Sequence, residues 1–504
     1  MKNAKKSLFA LVSAVLVAAN LATFASCGVS GGGNNDGGGE VDTSKYTYET
    51  PDTVAITDVV PYDGSEVTVT FYHTMGANLR GVIDKYIPQF NEMYPNITID
   101  HQQMGDYNGV RDQISKELTA KNAPSIAYCY PDHVALYNKA KAVLTLDSYI
   151  ESTATVTKDD GTTEVFGIPM EQRQDFTLGY YVEGRAYGDD KMYTLPFSKS
   201  TEVLYYNKTF FEANGYEVPK TWDDMETLCK TIKESAPAGK NVIPLGYDSE
   251  SNWFITMTEQ MKTPYTSAKG DHFLFDTEEN RAFVKRFSDW YDKGYVITEE
   301  LNGGYTSDLF AQKSPDKAIS YMCIGSSAGA SYQCPDLVKD ENGNDVYPFE
   351  VGIAMIPQAN PEEPKAISQG PSLVLFKKSE QEQAAAWLWA KFLTTTVELQ
   401  ADFSMTSGYA PVIGSVTNDE LYAKFLAEAD GNAKLQASCV KQTIAQKDAF
   451  FVSPAFVGSS QARDAVGLLI QRCFVKKDIG TQSIESFIAA QFKEAVEELA
   501  FDFS

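Results

Sequence analysis

Gly325-Ser326-Ser327-Ala328-Gly329 fits the G-x-S-x-G turn that presents a nucleophilic serine at the end of a strand. That arrangement needs a catalytic histidine downstream, and the 4 histidines, His73, His101, His133 and His272, all precede it. The plainer reading is a tight bend whose glycines let a helix start close to a sheet. As a functional element it would be a cleft edge at which Gly325, Ser326 and neighbouring backbone N–H groups donate to a ligand. Metal chemistry has less support, because no H-E-x-x-H occurs and Asp340-Glu341-Asn342-Gly343-Asn344-Asp345 lacks the ligand order and terminal Glu of a calcium loop. No metal and no cofactor is expected. With 68 acidic residues, a pair of carboxylates at glycosidase separation stays open as a third reading, a secreted glycan-active enzyme.

Sugars present flat C–H faces rimmed by hydroxyls, so a cleft that holds them needs Tyr or Trp faces and polar side chains around them. Tyr72, Tyr130 and Tyr409 lie at a strand end or in a turn and are candidates for the faces. Trp253, in Ser251-Asn252-Trp253-Phe254, begins a helix, where it could stack on ligand or plug a core. His73, Asp132, Ser198, Thr201 and Glu202 are the polar candidates, against the alternative of solvated loop positions.

The elements that carry these residues alternate. Val67 to His73 reads as a strand, and Leu79 to Tyr94 has Leu79, Val82, Ile83, Tyr86, Ile87 and Phe90 at helical spacing. Ile97 to His101, Tyr107 to Lys121, Ser125 to Tyr130 and His133 to Ala142 repeat the pattern. Strand and helix in regular succession predict a parallel sheet covered on both faces, with ligands bound beyond the carboxyl ends of its strands. Thr153 to Val165 interrupts the rhythm with a hairpin turned at Asp160-Gly161. Two strands, 192–195 and 201–206, flank Pro196 in a hinge-like stretch, after which Gly215 caps a short helix and Thr221-Trp222-Asp223-Asp224 starts another.

These strings carry a resemblance. Leu195-Pro196-Phe197, Tyr206-Asn207-Lys208, Pro219-Lys220-Thr221-Trp222-Asp223-Asp224 and Gly408-Tyr409-Ala410-Pro411-Val412 resemble the crossovers of extracellular solute-binding proteins of ABC importers, the maltose-binding and glycerol-phosphate-binding group. The resemblance runs from Val67 to the end. It implies an α/β, two-lobed periplasmic-binding-protein-like fold, each lobe a mainly parallel sheet flanked by helices and joined by several crossovers. The expected division is 65–197 with 368–408 in one lobe and 198–367 with 409–504 in the other. Trp253 resembles the family's ligand-stacking Trp. Ile413 stands where glycerol-phosphate relatives often carry Arg, which weakens an anionic ligand. The implied function is capture of an extracellular carbohydrate, an oligosaccharide, by a monomer that delivers it to a membrane permease. The alternative is the same fold binding a glycerol-phosphate-type anion, for which Arg80 or Arg173 would be expected in the cleft.

The amino terminus bears on compartment. Lys2, Lys5 and Lys6 precede an apolar run, Leu8 to Ala19, too short to span a bilayer, so 1–26 reads as a secretory signal. Phe24-Ala25-Ser26-Cys27-Gly28 resembles a lipoprotein cleavage box with Cys27 as the lipidated residue. Segment 27–64 then serves as tether and lead-in, holding the protein to the extracellular face of the cell membrane. A formal net charge of -25 argues against nucleic acid and against polybasic docking on anionic lipid. The other cysteines match no metal or redox spacing and read as buried thiols.

Overall fold

The computed structural model describes residues 45–313 and 317–502. The expected signal, Cys27 and the start of the tether lie outside the described residues.

Two sheets organise the chain. In the first, Ile97–Gln103, Val67–His73 and Ile126–Cys129 are parallel neighbours. Ser372–Leu375 and then Thr194–Pro196 extend that sheet by antiparallel pairing. The second runs Phe450–Phe451, Ala366–Gln369, Ser200–Asn207, Met322–Ser326, Leu245–Tyr247, Val296–Thr298, with Val351–Met355 also pairing to Ser200–Asn207. Parallel pairs come from strand–helix repeats, and the antiparallel ones from segments that have just changed sheet.

Each sheet has its own core. Phe71, Ile83, Phe90, Leu195, Trp387 and Trp389 pack in the first, and Trp222, Trp253, Phe254, Trp290 and Phe492 in the second. The hairpin of Thr155–Thr157 and Thr163–Val165 is bound to the first core through Val156 and Phe166, and Trp387 Nε1 donates to the Phe166 carbonyl at 2.8 Å. Val412, Ile413, Val416 and Tyr422 also pack into the first core, so the stretch just after Gly408 contributes there.

The chain passes between sheets at Phe197–Lys199 and at Gly370–Pro371, and the turn at Ala410, expected as the last crossover, lies against the first passage while the residues after it still pack in the first core. Lys199 N donates to the Ala410 carbonyl at 3.0 Å, and Ala410 N returns the bond at 2.7 Å. Gly370 has φ +92°, and a Cβ there would lie 2.3 Å from the Ser198 carbonyl oxygen, so only glycine allows the passages to run this close. Lys199 Nζ lies 2.8 Å from Glu183 Oε2 and is fully buried.

Local signals are realised in side-chain bonds. Thr221 and Asp224 form a capping box at the start of Trp222–Glu234, and Gly215 ends Lys208–Asn214 in the left-handed conformation. Cys129, Cys229, Cys323, Cys439 and Cys473 are buried free thiols and Cys334 is a half-buried one. Among the described residues no helix is long and apolar enough to cross a membrane.

Candidate functional site

A chamber of about 500 Å³ lies between the sheets, beside the passages. Its first-lobe wall is aromatic. Tyr107 begins the helix Tyr107–Ala120, which Asp106 caps by accepting from Gly109 N at 2.7 Å. Tyr130 precedes Pro131, the first residue of the helix Pro131–Lys139. The two rings stack with centroids 4.3 Å apart and planes 26° apart, and Tyr409 from the turn beside Ala410 joins them. Tyr305 and Tyr332 line the opposite side of the chamber and are mostly exposed.

The second-lobe wall is acidic. Glu202 points from Ser200–Asn207 and is 2% exposed. Tyr247 Oη donates to Glu202 Oε2 at 2.7 Å, yet burial outweighs that bond and pushes the carboxyl up to about 7. Asn252 also bonds Glu202, and its Oδ1 accepts from Arg463 Nη2. Asp248 Oδ1 accepts from Thr306 N at 2.7 Å and Thr306 Oγ1 at 2.6 Å, and burial raises this carboxyl as well. Glu299 is pushed up to about 8, first by burial and then by the charges of Asp248, Glu250 and Glu300. Arg463 is the one cationic side chain among the described residues lining the chamber.

Of the residues expected at the site, Tyr130, Glu202, Gly325, Ser326 and Tyr409 are brought together around this chamber. Gly325 keeps the wall open, since a Cβ there would meet Asp248 Oδ2 at 2.8 Å. Ser326 Oγ accepts from Ala328 N at 3.2 Å. Asp132 lies in a small annex next to the chamber.

The others do not line the chamber. Tyr72 packs in a core beneath the helix Tyr107–Ala120, with Oη donating to Glu117 Oε1 at 3.0 Å. His73 is wholly buried: Nδ1 accepts from Met75 N at 3.1 Å, Nε2 faces His101 Nδ1 at 2.9 Å, and burial lowers its pKa to about 3. Both sit on a strand covered on both faces, so neither side of the pleat leads to the cleft. Ser198 is buried within the first passage. Thr201 spends its hydroxyl on the Ile367 carbonyl at 2.9 Å. Trp253 is a core plug with no exposure, stacked on Tyr247 with centroids 4.6 Å apart. It backs the phenol that bonds Glu202 and does not line the chamber.

Ser327, the serine of the G-x-S-x-G string, is buried and accepts from Thr201 N at 3.2 Å. Arg80 donates to Gln103 at 3.1 Å, and Arg173 is buried against Glu151 and the carbonyls of Ile150 and Ile168, so neither lines the cleft.

Sequence reasoning missed Tyr107, Asp248, Asn252, Glu299, Tyr305, Tyr332, Gln369 and Arg463. Two had a local signal: Tyr107 follows the N-capping Asp106, and Asp248 follows the strand Leu245–Tyr247. Arg463 lies inside the helix Ser459–Val475 and looks like any surface position of an amphipathic helix.

Two sheets with separate cores, adjoining passages and a chamber between them define a two-lobed solute-binding protein. Residues 85–429 match the sequence profile of the bacterial extracellular solute-binding proteins, and the chain belongs to that family, the solute-capturing components of ABC importers. It is 24% identical over 360 residues to the sn-glycerol-3-phosphate-binding periplasmic protein UgpB of Escherichia coli K12, an alignment covering 68% of this chain and 74% of that one. Its fold is similar to that of UgpB from Mycobacterium tuberculosis in complex with glycerophosphocholine, with TM-score 0.66 and 16% identity over 86% of this chain and 99% of that one. It is also similar to the cyclic alpha-maltosyl-1,6-maltose binding protein of Arthrobacter globiformis, with TM-score 0.63 and 18% identity over 86% and 99% of the two chains.

Proposed function

We propose that this protein captures a neutral carbohydrate, an oligosaccharide, between its lobes and hands it unaltered to an ABC permease. Lobe boundaries fall at the passages Phe197–Lys199 and Gly370–Pro371 and at a third point beyond Tyr422, a lipid on Cys27 holds the mature chain to the outer face of the cell membrane, and the protein works as a monomer. The observation that carries the reading is the chamber's lining: tyrosine faces on one side, and on the other the carboxyl groups of Glu202, Asp248 and Glu299, which accept from hydroxyls. A ligand touching both walls stabilises the closed arrangement, because only there do both lobes reach it at once.

The second reading, a glycerol-phosphate-type anion, is favoured by the UgpB relatives. Arg463 is the single cation lining the chamber among the described residues and already donates to Asn252, which leaves little to hold a phosphate. Thermal-shift screening separates the two. A ligand at 100 times its Kd adds about 2.7 kcal/mol of stability. Neutral oligosaccharides are expected to raise Tm while glycerol 3-phosphate and glycerophosphocholine leave it unchanged; the reverse pattern overturns the proposal. Oligosaccharides recovered after prolonged incubation should be intact by chromatography, whereas cleavage products would indicate an enzyme.

A further inference from the structure

A second cavity of about 60 Å³ adjoins the main chamber and shares Tyr130, Gln369 and Arg463 with it. Both lobes wall it, Asp132 and Glu183 from one and Tyr265 and Ser453 from the other. Its composition is that of a site for something small with one apolar and one hydrogen-bonding end. Ile255, Ile367 and Val452 supply apolar surface. Tyr265 Oη and Ser453 Oγ are closed off from solvent and, among the described residues, have no hydrogen-bond partner. A buried hydroxyl left in that condition is destabilising until a partner reaches it. Asp132 and Glu183 line the same cavity, and the Glu183 charge is already matched by Lys199 at 2.8 Å.

We infer that this annex is the specificity-determining subsite of the cleft and takes a single hydroxymethyl group, the exocyclic carbon and hydroxyl of a hexose unit whose ring lies in the main chamber. The inference rests on the carbohydrate reading above. Size is compatible with it: one water needs roughly 10–15 Å³ by this measure, so the annex holds about four to six water-sized groups, enough for a hydroxymethyl arm and less than a whole second hexose unit. Chemistry supports it too, since the methylene meets Ile255 and Ile367 while the hydroxyl completes Tyr265 and Ser453. A pentose leaves those hydroxyls unpaired. A uronic acid would bring a carboxylate against Asp132 and Glu183.

The test uses the full mature chain and matched sugars that differ by that one group: glucose with xylose, galactose with arabinose, mannose with lyxose, and cellotriose with xylotriose. Calorimetric titration is expected to give at least tenfold tighter binding for the hexose member of whichever pair binds. Tyr265→Phe should weaken that hexose about tenfold and the pentose less than threefold. Ser453→Leu, which fills the annex, should erase the preference even if Tyr265→Phe folds poorly. Equal binding of hexose and pentose, or a Ser453→Leu variant that keeps the preference, overturns the subsite while the carbohydrate reading stands. Binding by neither member of any pair, nor by a wider oligosaccharide panel, removes the carbohydrate reading and the subsite with it.

Discussion

Around the first sheet and the passages, buried cations have carboxylate partners: Arg185 Nη1 lies 2.6 Å from Asp147 Oδ1, and Lys199 Nζ lies 2.8 Å from Glu183 Oε2. On the second-lobe wall of the cleft the pattern differs: Glu202 and Asp248 have phenol, hydroxyl and amide partners, Glu299 has the acidic neighbours Asp248, Glu250 and Glu300, and all three are raised chiefly by burial. A matched buried pair has its partner inside the protein and holds elements in register. An unmatched buried acid has capacity left to accept from a guest, and its desolvation is a cost the empty protein carries. The contrast separates residues that keep the passages together from residues that meet the ligand, although both sets are buried and charged in the sequence.

The largest test breaks a matched pair. Lys199→Met leaves the Glu183 carboxylate uncompensated and should cost about 3–5 kcal/mol in urea unfolding monitored by circular dichroism. A loss under 1 kcal/mol would mean the pair does not hold the passages.

Glu202→Gln should act in the opposite direction. The folded carboxyl sits near 7, above the ordinary 4.5, so the folded form holds its proton where the unfolded chain has released it. Wild-type stability therefore falls as pH rises from about 4.5 to 7, and the penalty is complete above that. Glutamine removes the penalty, so the variant should unfold about 1–3 kcal/mol later than wild type at pH 8 and match it at pH 4, while losing about tenfold in ligand affinity. A variant destabilised at pH 8 would place Glu202 with the matched charges.

His73 sharpens the comparison as a buried base without a directly bonded carboxylate. Its folded pKa, near 3, lies below the ordinary 6.5, and it faces His101, Arg80 and Asp84. The unfolded chain takes up a proton first as pH falls, so stability is complete above about 6.5 and declines below it, by up to about 1.4 kcal/mol per pH unit. His73→Gln should flatten that slope between pH 6.5 and 4.5 in thermal melts. Glu299→Gln is the smallest effect: the group is partly solvated and screened, so the gain at neutral pH should be well under 1 kcal/mol by thermal shift.

Much of the framework was legible in the sequence because its causes are local. The alternation in Val67 to His73, the helical spacing of Val82, Ile83, Tyr86 and Phe90, and the capping box of Thr221 and Asp224 all act over a few residues. The hairpin at Asp160-Gly161 and the stop at Gly215 follow from the same short range. The site was only partly legible. Tyr130 and Tyr409 stand next to a helix start and a passage, places that can be read from the chain, whereas Tyr72 and His73 looked equivalent and went into the core.

The sequence by itself determined the strand and helix periods, their caps and turns, and the acidic balance, since each depends on neighbours along the chain. Only the tertiary structure decided that Glu202, Asn252 and Arg463 form one network, that Trp253 backs Tyr247 and not a sugar, and that Asp132 lies in the annex beside Tyr265 and Ser453. The reason is distance along the chain: passages pressed together at Gly370, with the Ala410 turn against them, bring remote segments to one cleft, and which side chains then face each other follows from packing that no short window contains.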